Sequence, residues 1–209
     1  MELEKVIEKI KIKKPTFLGM NPLVSFGILI PLVKINHDLH ICFEVRSLNL
    51  RRQPGEICFP GGRVEEHDAS PMKAALRETG EELGIPEEWI DNVYPLDYLV
   101  QSTEGRIIYP FVGTLHHYEK WSPNPNEVQE VFTVPLDYLL NAEPQVYEID
   151  FAVVPQENFP FHLIPNGENY QWKTRKIKEY FYFYQNYCIW GLTAFILRHF
   201  LSILKEKEI

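Results

Sequence analysis

Three glutamates, Glu78, Glu81 and Glu82, stand at i, i+3 and i+4 within the run from Ser70 to Ile85. In a helix that spacing puts all three carboxylates on one face. Grouped carboxylates are oxygen ligands for a hard divalent cation, and Mg²⁺ typically uses a few of them together with substrate phosphates. A merely solvated acidic face fits this run poorly. Helix C-termini favour cations, so an acid in the last turns costs about 0.3–1 kcal/mol. Like charges one turn apart add to that cost. Arg77 offsets part of it, because it can reach Glu81 one turn on. The run also carries its own start and stop, with Ser70 as N-cap, Pro71 at the first helical position and Gly84 as the C-terminal stop. Metal binding is the preferred interpretation.

The elements that must position this helix can be traced along the chain. Leu3, Val6, Ile7 and Ile10 have helical spacing, with Pro15 beyond them. Residues 25–33 and 40–45 are rich in branched and aromatic side chains and predict two strands around an Asn36-His37-Asp38 turn. A loop with Pro54, Gly55, Pro60, Gly61 and Gly62 leads to the acidic helix. Further strands are predicted over 94–101, 106–115, 128–134 and 180–184, and a closing helix from about 189 to 205. Strands interrupted by helices in this way predict an α/β fold, a mixed sheet with helices on its faces.

The 209 residues fit one domain, with residues 1–20 as an N-terminal helical extension. The formal charge is −8, from 29 acids against 21 Lys and Arg. That balance disfavours nucleic acid as a partner, since affinity for phosphate backbones comes from clustered cations. Lys173, Arg175, Lys176 and Lys178 precede an aromatic run but read better as a charged turn entering a core strand. The most apolar stretch, residues 189–197, is far short of the roughly twenty residues that span a bilayer, so no membrane partner is expected. The N-terminus lacks an apolar signal core. Cys42, Cys58 and Cys188 show no CxxC spacing, which points to a reducing, cytoplasmic protein, with Cys58 as a small buried residue. The pair His116-His117 has no accompanying acid motif and is not expected to bind metal. Trp190 and Phe195 on the last helix are expected to be packing residues.

The segment Arg77-Glu78-Thr79-Gly80-Glu81-Glu82-Leu83-Gly84-Ile85 resembles the C-terminal half of the Nudix box, G-x5-E-x7-R-E-U-x-E-E-x-G-U, with Thr79 at a normally aliphatic position. The N-terminal half departs: Asp68 replaces the first glutamate, and eight residues rather than seven separate it from Arg77. Arg46-Ser47, Arg51, Gly55 and Phe59-Pro60-Gly61-Gly62 have the spacing R-S-x3-R-x3-G-x3-F-P-G-G. This resembles the additional signature of Nudix coenzyme A pyrophosphatases, although Cys42-Phe43-Glu44 stands where that subfamily has L-L-T. Residues 127–136 and 189–194 are also similar to that subfamily.

The resemblance implies a Nudix-type α/β/α sandwich and hydrolysis of the diphosphate of coenzyme A or acyl-CoA to 3′,5′-ADP and (acyl-)4′-phosphopantetheine, with Mg²⁺ or Mn²⁺. It implies Glu78 and Glu82 as principal metal ligands, Glu81 sharing ligation, and the Gly62 carbonyl completing the shell. Arg77 would orient the carboxylates. The general base is either a box glutamate such as Glu81 or an acid on a distant loop, for which Glu127 and Glu130 are the candidates and Glu104 a weaker one. Arg46 and Arg51, with Ser47 and Gly55, would contact the substrate phosphates, Arg52 less so, and Phe59 could wall the substrate. ADP-ribose, a dinucleotide or a nucleoside triphosphate is the alternative substrate, a non-catalytic Nudix-fold binding module the alternative role, and a homodimer is left open.

Overall fold

The computed structural model describes residues 2–14 and 23–205. Pro15, expected to lie beyond the first helix, and the rest of the expected extension to residue 20 fall outside the described residues. Helix α1 (Leu3–Lys11) forms as expected and buries none of its residues. Strands β1 (Val24–Ile35) and β2 (Asp38–Arg46) form the first hairpin. It reverses at Asn36 and His37, whose φ values of 49° and 80° supply the left-handed pair that a two-residue hairpin requires.

The short strands β3 (Ile57–Cys58) and β4 (Gly61–Arg63) follow, then α2 (Pro71–Leu83), β5 (Ile90–Pro95), β6 (Leu99–Gln101) and β7 (Arg106–Leu115). After them come β8 (Val128–Pro135), α3 (Leu136–Asn141), β9 (Gln145–Phe151), β10 (Arg175–Tyr184), β11 (Tyr187–Ile189) and α4 (Gly191–Lys205). The main sheet runs β3-β2-β1-β7-β5, with β8 beside β2, β4 beside β1 and β6 beside β7. β1 and β7 pair in parallel from Val24↔Arg106 to Val33↔Leu115, while the other described pairs are antiparallel. The sheet is therefore mixed, as the sequence predicts.

Alternation along β1 and β2 feeds two cores. Leu29, Val33 and Cys42 face α2 and pack with its Ala75, Leu76 and Leu83. Ile30, Ile41 and Phe43 face the other way, onto Leu139 of α3 and Ile196, Leu197 and Phe200 of α4. Helices thus cover both faces, which gives the α/β/α sandwich. Each fully buried Val, Leu, Ile or Phe side chain among them contributes about 1.5–3 kcal/mol.

Several boundaries differ from the expectation. The strand predicted over 94–101 is split into β5 and β6. The strand predicted over 180–184 begins at Arg175, because β9 pairs with it from Arg175↔Phe151 onward. Arg175, Lys176 and Lys178 therefore lie within a strand rather than in a turn, and Lys176 pairs with Glu148 at 3.1 Å. β9, which is not among the predicted strands, is exposed along its whole length although Tyr147, Ile149 and Phe151 alternate with Glu148 and Asp150. The closing helix starts at Gly191, since Tyr187–Ile189 pairs with β10. Trp190 and Phe195 are 44% and 45% exposed, and Trp190 packs by stacking on Phe181 with ring centroids 5.9 Å apart. Among the described residues no helix is long and apolar enough to cross a membrane.

Candidate active site

The acidic helix is built as its sequence dictates. The Ser70 hydroxyl accepts from the Lys73 amide at 3.3 Å, and Gly84 closes the helix at φ 63°. Any side chain at Gly84 would also collide with the Ser122 carbonyl, so the stop doubles as a docking point for the 122–127 loop. Thr79, at the normally aliphatic position, is fully buried and donates its hydroxyl to the Ala75 carbonyl at 2.7 Å, which satisfies it.

The three glutamates separate by depth. Glu82 is buried and Glu78 partly buried, while Glu81 is exposed. Arg77 ties them together, donating to Glu78 Oε1 at 2.9 Å and Glu81 Oε2 at 3.2 Å. Its other edge is held by Asp68, with Nε to Oδ1 at 3.1 Å and the second terminal nitrogen to Oδ2 at 3.0 Å. Those bonds hold the Asp68 carboxyl down to about 2. Asp68 thus does its work on Arg77, and the one-residue departure in spacing is absorbed in the turn before α2.

Two glycines bring backbone against the carboxylates. Gly61 has φ 146° and its amide donates to Glu82 Oε2 at 2.8 Å; a Cβ there would collide with the Gly27 carbonyl and with Ile28. At Gly62 a Cβ would occupy the space of the Glu78 carboxylate. Only a glycine at 62 leaves the chain this close to Glu78.

Glu44, which the sequence marked only as a departure from the subfamily signature, stands in this cluster. It lies on the α2 face of β2 and is 1% exposed. Its Oε1 accepts from the Cys58 thiol at 3.2 Å, and Oε2 is buried without a partner. Burial pushes the Glu44 carboxyl up to about 7, with the charges of Glu127 and Glu78 adding and the Cys58 bond and Arg46 opposing. Glu82 is likewise pushed well up, first by burial and then by the Glu44 charge, against the Gly61 bond. Burial raises Glu78 too, against the nearby Arg77 charge. The signal that could have found Glu44 was a charged residue at an interior position of an otherwise apolar strand.

Arg46 is partly buried, with Nε unpartnered, and its charge bears on Glu44. The loop it opens is pinned by Arg46 N to the Glu56 carbonyl at 2.9 Å and Gly55 N to the Arg46 carbonyl at 3.0 Å. Arg51 and Arg52 sit exposed on that loop. Gly55 shapes it, with φ 73°. Ser47, expected at the substrate, is buried; its hydroxyl donates to the Pro125 carbonyl at 3.2 Å, and its amide donates to the Glu127 carbonyl at 2.7 Å. The Asn124 amide reaches the Glu82 carbonyl at 2.9 Å. Glu127 is thereby fixed beside the cluster, and its charge acts on Glu44, Glu78 and Glu82.

Three expected site residues lie elsewhere. Phe59 is 5% exposed and stacks on Phe43 at 5.0 Å, so its ring belongs to the core and not to a substrate wall. Glu130 is on the face of β8 shared with Phe132, opposite to α2, and accepts from the Tyr187 hydroxyl. Glu104 pairs with Arg106 at 2.8 Å. Cys58 is only partly buried in the outline of its residue and acts as a donor to Glu44, rather than as a filler.

The donor set of Glu44, Glu78, Glu82 and Glu127 is all oxygen, suited to Mg²⁺ or Mn²⁺ and unsuited to soft metals. Among the described residues no group of three or more Asp, Glu, His or Cys side chains is placed to hold a metal ion. An open arrangement is what Mg²⁺ uses when substrate phosphates and water complete its shell. The orphaned Glu44 Oε2 and the glycine cradle at Glu78 both fit a cation.

Residues 35–156 match the NUDIX domain. The chain is 43% identical over 123 residues to mouse peroxisomal coenzyme A diphosphatase NUDT7, a match covering 59% of this chain and 51% of that protein. It is 31% identical to Nudix hydrolase 15, mitochondrial, from Arabidopsis thaliana, over 81% of this chain and 54% of the relative. The chain thus spans about half the length of these two relatives. It is 33% identical to the uncharacterized Nudix hydrolase NudL of Pectobacterium atrosepticum, over 78% of this chain and 73% of the relative. A crystal structure of a MutT/nudix family protein from Enterococcus faecalis superimposes with a TM-score of 0.51 at 14% identity, covering 99% of this chain and 71% of that one.

Proposed function

The chain belongs to the Nudix family, and on that premise we propose that it hydrolyses the diphosphate of coenzyme A or an acyl-CoA to 3′,5′-ADP and (acyl-)4′-phosphopantetheine. The observation that carries the substrate class is the continuity of β2. Glu44 faces the carboxylate cluster, and two residues on Arg46 opens the cationic loop, so a diphosphate at the acids can place a further phosphate at the arginines. The similarity to a protein described as a coenzyme A diphosphatase supports the same choice.

Glu78 and Glu82 would hold the cation, with the Gly62 carbonyl and Glu81 as further ligands. When bound, Mg²⁺ or Mn²⁺ neutralises diphosphate charge and lowers the pKa of water. Arg77, gripped by Asp68, fixes the carboxylates and does not touch substrate. Glu127 takes the proton of the attacking water as its oxygen bonds to phosphorus and the bridging P–O bond breaks. Arg46 and Arg51 bind the 3′-phosphate, since a guanidinium can bond it bidentately. The three unpaired cysteines agree with a reducing compartment such as the cytoplasm. The test is to incubate the pure protein with CoA and Mg²⁺ or Mn²⁺ and to chromatograph the products. Release of 3′,5′-ADP is expected. Its absence under both metals, or a higher kcat/KM on ADP-ribose, a dinucleotide or a nucleoside triphosphate, overturns the substrate.

A further inference from the structure

We propose that Glu44 is a direct ligand of the divalent cation, supplied by the sheet to complete the set that α2 begins. The inference rests on the assignment of Glu78 and Glu82 as ligands and adds a residue that the family signature does not contain.

A carboxylate carries about four acceptor positions and is costly to bury with an oxygen unmatched. Glu44 is 1% exposed on a strand whose neighbours Cys42 and Phe43 are wholly buried. The Cys58 thiol occupies Oε1 at 3.2 Å, and no donor reaches Oε2. Side-chain alternation turns Glu44 to the face of β2 that α2 covers, the side on which Cys42 packs with Ala75 and Leu83. The charges of Glu78, Glu82 and Glu127 all act on or with it. A buried acid beside three others is a poor choice for stability, because like charges and desolvation both oppose it. A hard cation at the cluster answers both costs, matching the orphan oxygen and neutralising the crowd. The thiol has a definite part in this arrangement: by holding Oε1 it fixes the Glu44 side chain and leaves Oε2 for the ion.

The competing account is a proton shared between Glu44 and Glu82, which needs no metal at Glu44. Mn²⁺ titration without substrate, read by electron paramagnetic resonance of the free ion and by calorimetry, separates the two. The proteins are wild type, E44Q, E44T and E82Q, each checked for fold by circular dichroism. E44Q keeps an amide oxygen for Cys58 but removes the charge, and E44T removes the group. Expected is a loss of Mn²⁺ affinity of about tenfold or more in both Glu44 variants, since even residues behind a ligand typically cost 10–100-fold. Wild-type affinity in a folded E44Q or E44T overturns the inference, and if E82Q alone loses binding, the assignment of the α2 ligands survives. No Mn²⁺ binding by wild type overturns both. An anomalous difference map from wild-type crystals grown with Mn²⁺ needs no variant: a Glu44 oxygen in the ion's coordination sphere supports the inference, and an ion with Glu44 outside that sphere refutes it.

Discussion

Raising the pH should destabilise the metal-free protein through Glu44, and the structure sets the size of the effect. Burial lifts the Glu44 carboxyl from 4.5 to about 7. Between those values the folded chain holds a proton that the unfolded chain has released, so stability falls as pH rises. The full benefit of the neutral acid is present below about pH 4.5 and is gone once pH passes through the folded value near 7. At about 1.36 kcal/mol per pKa unit, the loss is on the order of 3 kcal/mol. With an unfolding entropy of about 2.1 cal/mol/K per residue, that is roughly 7 °C in Tm for a chain of this length. The assay is calorimetric melting of wild type and E44Q in EDTA from pH 4.5 to 8.5. Glu78 and Glu82 are also raised and give both proteins a slope of the same sign, and because the Glu44 charge itself raises Glu82, the difference between the two curves reports Glu44 together with its coupling to Glu82. That difference should grow in favour of E44Q by about 3 kcal/mol across the window, and saturating Mg²⁺ should flatten the wild-type curve. Parallel wild-type and E44Q curves in EDTA would refute the reasoning.

The cradle at Gly62 predicts that Gly62→Ala lowers kcat about 100-fold by displacing the Glu78 carboxylate, with the far-ultraviolet circular dichroism unchanged; near-normal turnover would count against the Gly62–Glu78 contact. Asp68→Asn should lower kcat about tenfold through a loosened Arg77 while KM for CoA stays within about threefold, and steady-state kinetics that show the effect in KM instead would place Asp68 at the substrate. Phe59→Leu should cost about 1–2 kcal/mol in urea unfolding and leave KM unchanged, because the ring packs on Phe43; a raised KM with unaltered stability would return Phe59 to the substrate wall.

Much of the fold and half of the site are local in the chain, and that half was legible. Ser70, Pro71 and Gly84 set the limits of α2 through backbone conformation and capping, which act within one or two turns. The i, i+4 spacing of Glu78 and Glu82 puts both on one face of the helix for the same reason. Asn36 and His37 made the first turn, and branched residues made the strands beside it.

What lay beyond sequence alone are contacts whose partners come from different elements. Whether Glu81 or Glu82 turns inward depends on how α2 is rotated against β1, which the collision-tight approach of Gly27 to Pro71 fixes. Phe59 and Glu130 each sit beside motif residues, yet the turn between β3 and β4 delivers one to the core and strand alternation the other to the face opposite α2. Asp68 looked like a displaced first acid of the box, and only the fold shows it gripping Arg77. Glu44 is the sharpest case. Its neighbours in the chain are apolar, and its partners Cys58, Glu82 and Glu127 reach it through strand pairing, helix packing and a loop. Local spacing therefore determined which residues could bind a cation, while the register of β2 under α2 decided which carboxylates meet, because burial and charge interact through space and not along the chain.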